Sequence, residues 1–168
     1  MALLSKNHRK RCRKWNRQYF ESGEIKMHST LQQWDHDSAF ATLVELHSQR
    51  RNAVGEQSFF DCPRQSQFLR AAFDALSKEG LVEISGIELH GEMIAVEFEL
   101  LGNDTVYAYQ SGIRESAKEY SPGSLSLLWR IRHAIESGKT TFDFMRGTEE
   151  YKSHWKAKTN TTSLIHLR

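Results

Sequence analysis

The 168-residue sequence is poor in cysteine and proline, with two residues of each. Cys12 and Cys62 form no CxxC pair and have no zinc-ligand spacing, so we predict neither a disulfide framework nor a zinc site. None of the eight histidines stands four residues from another, and we predict no bound metal. No segment approaches the roughly 20 apolar residues of a membrane span, and no apolar N-terminal run resembles a signal peptide. We therefore expect a cytoplasmic protein.

Charge is balanced overall but unevenly distributed. The sequence has 23 basic and 21 acidic residues, of which eight basic and two acidic residues lie among the first 30. This N-terminal segment predicts an anionic partner such as phosphate, nucleic acid or a membrane surface, although a solvated helix face has the same composition.

The length suits a single domain of about 100–200 residues, and we assign 1–168 to one domain, with a basic helix over 1–22 and a core over 24–168.

Hydrophobic periodicity predicts an α+β fold with a mixed central sheet. The basic helix would bury Leu4, Cys12, Trp15 and Tyr19 on one face. The predicted order after it is a strand at 24–29, helices at 35–49 and 65–78, strands at 81–89, 92–101 and 105–110, a helix from Ser121 to Ser137, a strand at 140–144, a helix at 148–154 and a strand at 163–167. Within the long C-terminal helix we expect Leu125, Leu128, Ile131 and Ile135 to face inward.

Alternation in the strand at 92–101 separates two kinds of side chain. We expect Ile94, Val96, Phe98 and Leu100 to share one face, and Glu97 and Glu99 to share the other. We interpret the two glutamates either as exposed strand acids or as groups that face a cleft.

The segment Tyr120–Ser124 predicts an anion site at a helix start. Ser121 suits the N-cap, and Pro122 suits the first helical position, where its missing N–H costs nothing. Gly123 permits close approach of a ligand to the backbone, and free N–H groups at a helix start attract anions. The alternative is an ordinary helix start.

The segment from Phe142 to Trp155 combines a strand end, a glycine turn and many ionisable side chains. Asp143 would point away from the face of Phe142 and Phe144, and Arg146 and Lys152 are suited to hold a phosphate or polarise a carbonyl. The alternatives are an exposed strand acid, solvated surface charges and, for Tyr151 and Trp155, simple core packing.

Taken together, three segments resemble a known family. Residues 5–25, 81–113 and above all 120–158, with the Ser-Pro-Gly and Asp-Phe-Met-Arg-Gly…Tyr-Lys…Trp motifs, are similar to the BioF2-like or CelD-like acetyltransferases. These form a branch of the GNAT superfamily related to the Fem peptidyltransferases. The resemblance implies a GNAT-like sheet with a splayed cleft between strands four and five that receives acyl-CoA. The longer GNAT phosphate signature, Gln/Arg-x-x-Gly-x-Gly/Ala, is absent from the sequence.

The resemblance also implies roles for individual residues. The pyrophosphate would meet the backbone around Ser121, Pro122, Gly123, Ser124 and Leu125, and the pantetheine arm would run beside the strand of Tyr107, Tyr109 and Gln110. By the same resemblance, Tyr151 is the expected acid and Lys152 the expected oxyanion partner. Asp143, Glu97 and Glu99 are the candidate bases, and Glu97, Glu99 and Arg146 the expected acceptor contacts.

The function expected from these features is transfer of an acetyl or other acyl group from acyl-CoA to an amine, without a covalent enzyme intermediate. One alternative is a Fem-like transferase that uses aminoacyl-tRNA. Another is a non-catalytic module that binds nucleic acid or a partner through its basic helix. Members of the family often carry a preceding GNAT-like half, so a second subunit in a homodimer is one way to complete the acceptor pocket.

Overall fold

The computed structural model describes residues 4–161. The helices are α1 (Lys6–Trp15), α2 (His36–Ala53), α3 (Pro63–Ser77), α4 (Pro122–Glu136) and α5 (Glu150–His154). The strands are β1 (Ile25–Ser29), β2 (Val82–Leu89), β3 (Glu92–Leu101), β4 (Thr105–Ile113) and β5 (Thr141–Asp143). A π-helix, Asn16–Phe20, continues α1, and short 3₁₀ helices lie at Phe59–Asp61 and Glu115–Tyr120.

The element order agrees with the predicted order as far as α5, whereas the strand predicted at 163–167 lies outside the described residues. Two elements run further than predicted. Helix α2 continues to Ala53 because nothing breaks it before Gly55, which has a φ of +73°. Strand β4 continues to Ile113 because that residue still pairs with Ala95 of β3.

The five strands form one mixed sheet in the order β1-β2-β3-β4-β5. Neighbouring strands are antiparallel except for β4 and β5, which are parallel. The turn between β2 and β3 uses His90 and Gly91, both with positive φ, as that dipeptide predicts. The α+β fold with a mixed central sheet is therefore confirmed.

Each face of the sheet carries its own hydrophobic cluster. One face packs against α2 and α3, with Leu43, Phe73 and Phe98 fully buried. The other packs against α1 and α4, where Cys12 and Leu125 are fully buried. The predicted apolar face of α1 is confirmed by the buried side chains of Cys12, Trp15 and Tyr19.

Helix α2 lies directly against β4. A β-carbon at Gly112 would contact the backbone nitrogen of His47 and lie 2.5 Å from the carbonyl carbon of Leu46, so only glycine permits this approach. Glu45, also on α2, pairs with Arg114, the residue that follows β4, at 3.3 Å.

Candidate active site

Strands β4 and β5 separate after a short parallel pairing. Only Thr105, Val106 and Tyr107 pair with β5, and β5 ends at Asp143. From Ala108 to Ile113, within the described residues, β4 therefore has no strand partner on that side. The β3–β4 register also shifts at Phe98/Glu99, which leaves Tyr109 as an extra residue on β4. Such a bulge increases the local bend of a strand, so it contributes to the opening.

Of the three β4 residues predicted to lie beside the pantetheine arm, Tyr109 and Gln110 lie at this opening and are half-buried, whereas Tyr107 pairs with Asp143 of β5. The Tyr109 ring packs against Phe98 with 5.9 Å between centroids. Gln110 lies near His47, which is buried on α2 and contacts the Ser58 hydroxyl through Nδ1 at 2.9 Å. Burial lowers the pKa of His47, so this imidazole is neutral at pH 7 and adds no charge to the opening.

The start of α4 lies next to the end of β4. Ser121 is the N-cap and Pro122 the first helical residue, as predicted, but Ser121 adopts a left-handed conformation (φ 57°, ψ 52°) and its side chain makes no capping bond. Its carbonyl instead accepts from the amides of Ser124, at 2.9 Å, and Leu125, at 3.1 Å.

This internal bonding corrects the prediction of several free N–H groups at the start of α4. Among the described residues, only the Gly123 amide in this turn has no acceptor. A β-carbon at Gly123 would find its nearest neighbour, Cγ2 of Ile113, 3.8 Å away. The surface above Gly123 is therefore open to a ligand.

Two predicted site residues, Asp143 and Lys152, order the loop that follows β5. Oδ1 of Asp143 accepts from the Met145 amide at 2.7 Å and supports that residue's positive φ of 57°. Nζ of Lys152 donates to the carbonyls of Arg146, at 2.7 Å, and Gly147, at 3.2 Å, and pairs with Glu149 at 2.8 Å. The Lys152 ammonium thus closes the Arg146–Glu149 loop, while the Arg146 side chain is exposed.

Tyr151 lies at the end of a ladder of three aromatic rings. Its centroid is 6.1 Å from that of Phe144, which in turn lies 5.3 Å from that of Phe142, both edge-on. The side chain is 44% exposed. Partial burial raises the pKa of the Tyr151 hydroxyl, and the charges of Glu149 and Glu97 add to this effect. The hydroxyl is therefore protonated at neutral pH.

Glu97 and Glu99 lie in the interior, not on an exposed strand face or open to the cleft, because α4 covers them. Each is 4% exposed, as is Arg130, which reaches them from α4. Arg130 bonds Oε2 of Glu97 through Nη1 at 2.9 Å and Oε1 of Glu99 through Nε at 2.7 Å. Ser126, one helical turn before Arg130, donates to Glu97 at 2.8 Å. Contact of these glutamates with an acceptor stays a prediction. It would require α4 to move away from them, because in this packing an acceptor cannot reach them.

Burial raises the pKa of two carboxyl groups in this cluster. Burial raises the pKa of Glu97 to about 7, because desolvation outweighs the attraction of Arg130 and the bond from Ser126. Burial also raises the pKa of Glu83, which accepts from the Ser29 hydroxyl at 2.5 Å.

Sequence reasoning missed Arg130 and His47. For Arg130 a signal existed: Ser126 and Arg130 stand one turn apart on α4, opposite two glutamates that share one face of β3. For His47 the sequence holds no comparable signal, since its hydrogen-bond partner Ser58 lies on another element.

Within residues 4–161, no group of histidine, cysteine or acidic side chains is arranged to hold a metal ion. No helix in that part of the chain is long and apolar enough to span a membrane.

Structural comparisons find several acetyltransferases. FemX superimposes with a TM-score of 0.66 at 12% identity over 91% of this chain, which spans only 52% of FemX. An aminoglycoside acetyltransferase from an uncultured soil metagenomic sample, crystallised with sisomicin, gives 0.58 at 13% identity, covering 88% of this chain and 98% of that one. A predicted acetyltransferase from Clostridium acetobutylicum, solved with acetyl-CoA, gives 0.59 at 11% identity, covering 86% and 96%. These likenesses establish the fold.

No curated protein matches the chain significantly. The family described as "Acetyltransferase (GNAT) domain" matches residues 6–153. That range begins in α1 and ends within α5, so it includes the open edge of β4, the start of α4 and the Tyr151–Lys152 pair. By its sequence and by its sheet, this chain belongs to the GNAT acetyltransferase family.

Proposed function

We propose that this protein transfers an acyl group from acyl-CoA, with acetyl-CoA as the simplest donor, to an amine of an acceptor. The observation that carries this proposal is the open edge of β4 opposite β5, with the Gly123 amide near one end and Tyr151 beyond the other. An extended ligand with amide groups is suited to such an edge because it can take the place of a missing strand.

The donor would lie along β4. The unpaired backbone groups from Ala108 to Ile113 would bond the two amides of the pantetheine arm, beside Tyr109 and Gln110. The pyrophosphate would meet the Gly123 amide at the positive end of α4. One free amide is a weak anion site on its own, with a helix-end contribution of about 0.3–1 kcal/mol, so most of the affinity would come from the β4 edge.

The reaction needs a proton acceptor and a proton donor. The amine nitrogen forms a bond to the thioester carbonyl carbon, the carbon–sulfur bond breaks, and the amine loses a proton while the departing thiolate gains one. A primary amine with a pKa of about 10 is neutral in roughly one molecule in a thousand at pH 7, a handicap of about 4 kcal/mol. A general base contributes about 10²–10⁴ in rate and offsets most of it.

Among the candidate bases, Asp143 fits best. It is half-exposed at the point where β5 leaves β4, and only its Oδ1 is engaged, by the Met145 amide. Glu97 and Glu99 are buried beneath α4. Tyr151 is the proposed acid because its raised pKa keeps the hydroxyl protonated.

Lys152 and Arg146 have proposed roles at the same loop. For Lys152 to stabilise the oxyanion of the reaction, its ammonium has to exchange one of its carbonyl partners for that oxygen. Arg146, with an exposed guanidinium, is the proposed contact for an acidic or polar group of the acceptor.

Thermal denaturation with and without ligand tests the proposal. We expect acetyl-CoA and CoA to raise the melting temperature in a concentration-dependent way, because they bind only the folded chain. A short RNA at the same ionic strength is the comparison ligand. Absence of a shift with acetyl-CoA, alongside a shift with RNA, would contradict the proposal.

A second candidate is a transferase that takes its acyl group from aminoacyl-tRNA. The observation in its favour is the outer face of α1 and the following π-helix, where Lys6, Lys10, Arg11, Arg13, Lys14 and Arg17 are all exposed and none forms an ion pair within the described residues. This candidate requires tRNA binding that weakens steeply with salt, because bound cations are released from the phosphates. Salt-independent binding, or none, would remove it.

A non-catalytic nucleic-acid module is less well supported. Base stacking by α1 would need free aromatic side chains, and Trp15 and Tyr19 are both buried in the core.

A further inference from the structure

Arg130 connects three elements of the sheet's α4 face. Its guanidinium is held by Glu97 and Glu99 of β3, and the same group lies over the ring of Phe142 on β5, with 5.0 Å from Cζ to the ring centroid. Strand β4 lies between them and presents Ala108, the partner of Glu99, at this position. A small side chain there leaves room for the arginine to reach across.

The contact with Phe142 matters because, within residues 4–161, β5 has little other support from the sheet. The strand is three residues long and, in this part of the chain, pairs with β4 alone. A cation over an aromatic face is attracted to the ring, most strongly when both groups are desolvated. Within the described residues, the buried guanidinium is therefore one of the contacts that hold β5 against the α4 face of the sheet.

From Phe142 the contacts continue to the proposed acid. Phe142 meets Phe144 at 5.3 Å, and Phe144 meets Tyr151 at 6.1 Å, with interplanar angles of 65° and 68°. Edge-to-face rings have defined relative orientations, so the orientation of the first ring constrains the last. Helix α4, which carries Arg130, begins at the Gly123 turn proposed for the pyrophosphate.

We propose that Arg130 is a positioning residue: anchored on Glu97 and Glu99, it fixes the Phe142–Phe144–Tyr151 ring ladder and so sets the distance between the Tyr151 hydroxyl and the donor bound at the start of α4. This inference rests on the proposed function. In this proposal the role of the two buried glutamates is to hold Arg130 in place.

Two variants interrupt the connection at different points. In Arg130→Lys, an ammonium keeps the charge but has no planar face for Phe142 and no fork to bridge two carboxylates. In Phe142→Leu, the buried ion pairs stay intact and only the ring is lost. We expect each variant to lower kcat roughly ten- to hundredfold, the scale of a displacement of about 1 Å at a reacting group, with the KM for acetyl-CoA within about twofold of the wild-type value.

The matched control is Arg132→Met, which removes an exposed arginine two residues further along α4 that pairs with Glu136. It should keep both kinetic constants. A purely structural role for Arg130 would instead show as parallel losses of kcat, donor affinity and melting temperature in Arg130→Lys, and that pattern would overturn the proposal. A wild-type kcat in Phe142→Leu would also overturn it.

A second readout does not depend on activity. With 3-fluorotyrosine placed at position 151, we expect the ¹⁹F resonance to shift or broaden in Phe142→Leu and to stay unchanged in Arg132→Met. An unchanged resonance in Phe142→Leu overturns the ladder. If the wild-type protein turns over no acyl-CoA, the proposed function fails, and this spectrum still decides whether Arg130 and Phe142 position Tyr151.

Discussion

At the scale of single residues, Tyr151 combines a partly exposed ring with a hydroxyl that stays protonated at neutral pH. We predict that Tyr151→Phe lowers kcat by about 10²–10⁴, the usual contribution of a general acid. The KM for acetyl-CoA should change little, because in the proposed reaction the hydroxyl donates its proton only as the carbon–sulfur bond breaks. Steady-state measurement of CoA release checks this, with Tyr19→Phe, a buried tyrosine on α1's side of the core, as control. Equal kcat in the two variants would remove Tyr151 from the reaction.

The buried Glu97 gives a prediction about stability and pH. Its pKa is higher in the folded protein, about 7, than its ordinary value of 4.5. Its contribution to the free energy of unfolding is therefore fully present below pH 4.5 and is lost as the pH rises through 7. Relative to Glu97→Gln, the free energy of unfolding of the wild type should fall by about 3 kcal/mol between pH 4.5 and 7.5.

Urea unfolding at several pH values measures this difference. Glu79→Gln, at an exposed position that forms no ion pair within residues 4–161, is the control and should run parallel to the wild type. Parallel curves for Glu97→Gln and the wild type would mean that Glu97 does not titrate as its burial requires.

Residue types in the candidate site could be predicted from sequence, but their partners could not. Periodicity placed Ile135 inside the protein, yet it is 66% exposed, and Arg130 takes an interior position. The physical reason is the pair of glutamates on β3: once α4 covers them, a paired cation on α4 costs less than two unpaired buried carboxylates. That preference depends on tertiary contact, which a helical period does not contain.

At the scale of the elements, Gly112 and Gly123 have different roles. Gly112 allows α2 to pack closely against β4, and Gly123 leaves open space at the start of α4. We predict that Gly112→Ala destabilises the fold by about 1–3 kcal/mol or more, because a β-carbon would be forced against the backbone of α2 at Leu46 and His47. Gly123→Ala should leave the melting temperature unchanged, since its nearest neighbour would be 3.8 Å away. It should nevertheless weaken CoA binding, because the added methyl would lie where the proposed mode of binding brings the pyrophosphate.

Calorimetric titration of CoA and thermal denaturation of both variants test this pair. Unchanged CoA affinity in Gly123→Ala would mean that the start of α4 does not meet the donor. The loss of stability in Gly112→Ala depends only on the crossing of α2 and β4.

The elements themselves were largely predictable, since amphipathic helices and alternating strands carry strong periods. The length of β5 was not. Phe144 continues the alternation of Thr140–Phe144, yet the strand ends at Asp143. The carboxylate of Asp143 turns back to the Met145 amide, and this local bond ends the strand.

At the scale of the whole molecule, α1 is part of the core as well as a charged surface. We predict that Trp15→Ala lowers the free energy of unfolding by about 3–5 kcal/mol, the usual cost of removing a buried tryptophan, because Trp15 packs between the sheet and α4. Lys10→Gln, on the exposed side of the same helix, should leave stability within about 0.5 kcal/mol of the wild type. Chemical denaturation compares the two, and a small effect of Trp15→Ala would mean that α1 is a detachable arm.

The fold as a whole followed from element order together with the family resemblance, and the family match confirms that resemblance. The identity of the acceptor could not follow from either. Acceptor recognition depends on side chains such as Arg146 whose surroundings are set by loops, and loop conformation is weakly determined by local sequence.

The short pairing of β5 with β4 also bears on which part of the sheet unfolds locally most easily. Strands β2, β3 and β4 are joined by tight turns, so they can assemble from neighbouring sequence. Strand β5 is separated from β4 by the 3₁₀ helix and α4, so its pairing with β4 closes a longer loop. We therefore expect amide hydrogens of Phe142 and Asp143 to exchange with solvent well before those of Ile84 and Phe98 in native-state exchange experiments. A donor bound between β4 and β5 would slow the exchange at β5 most. Slower exchange of the β5 amides would therefore report directly that the cleft is occupied.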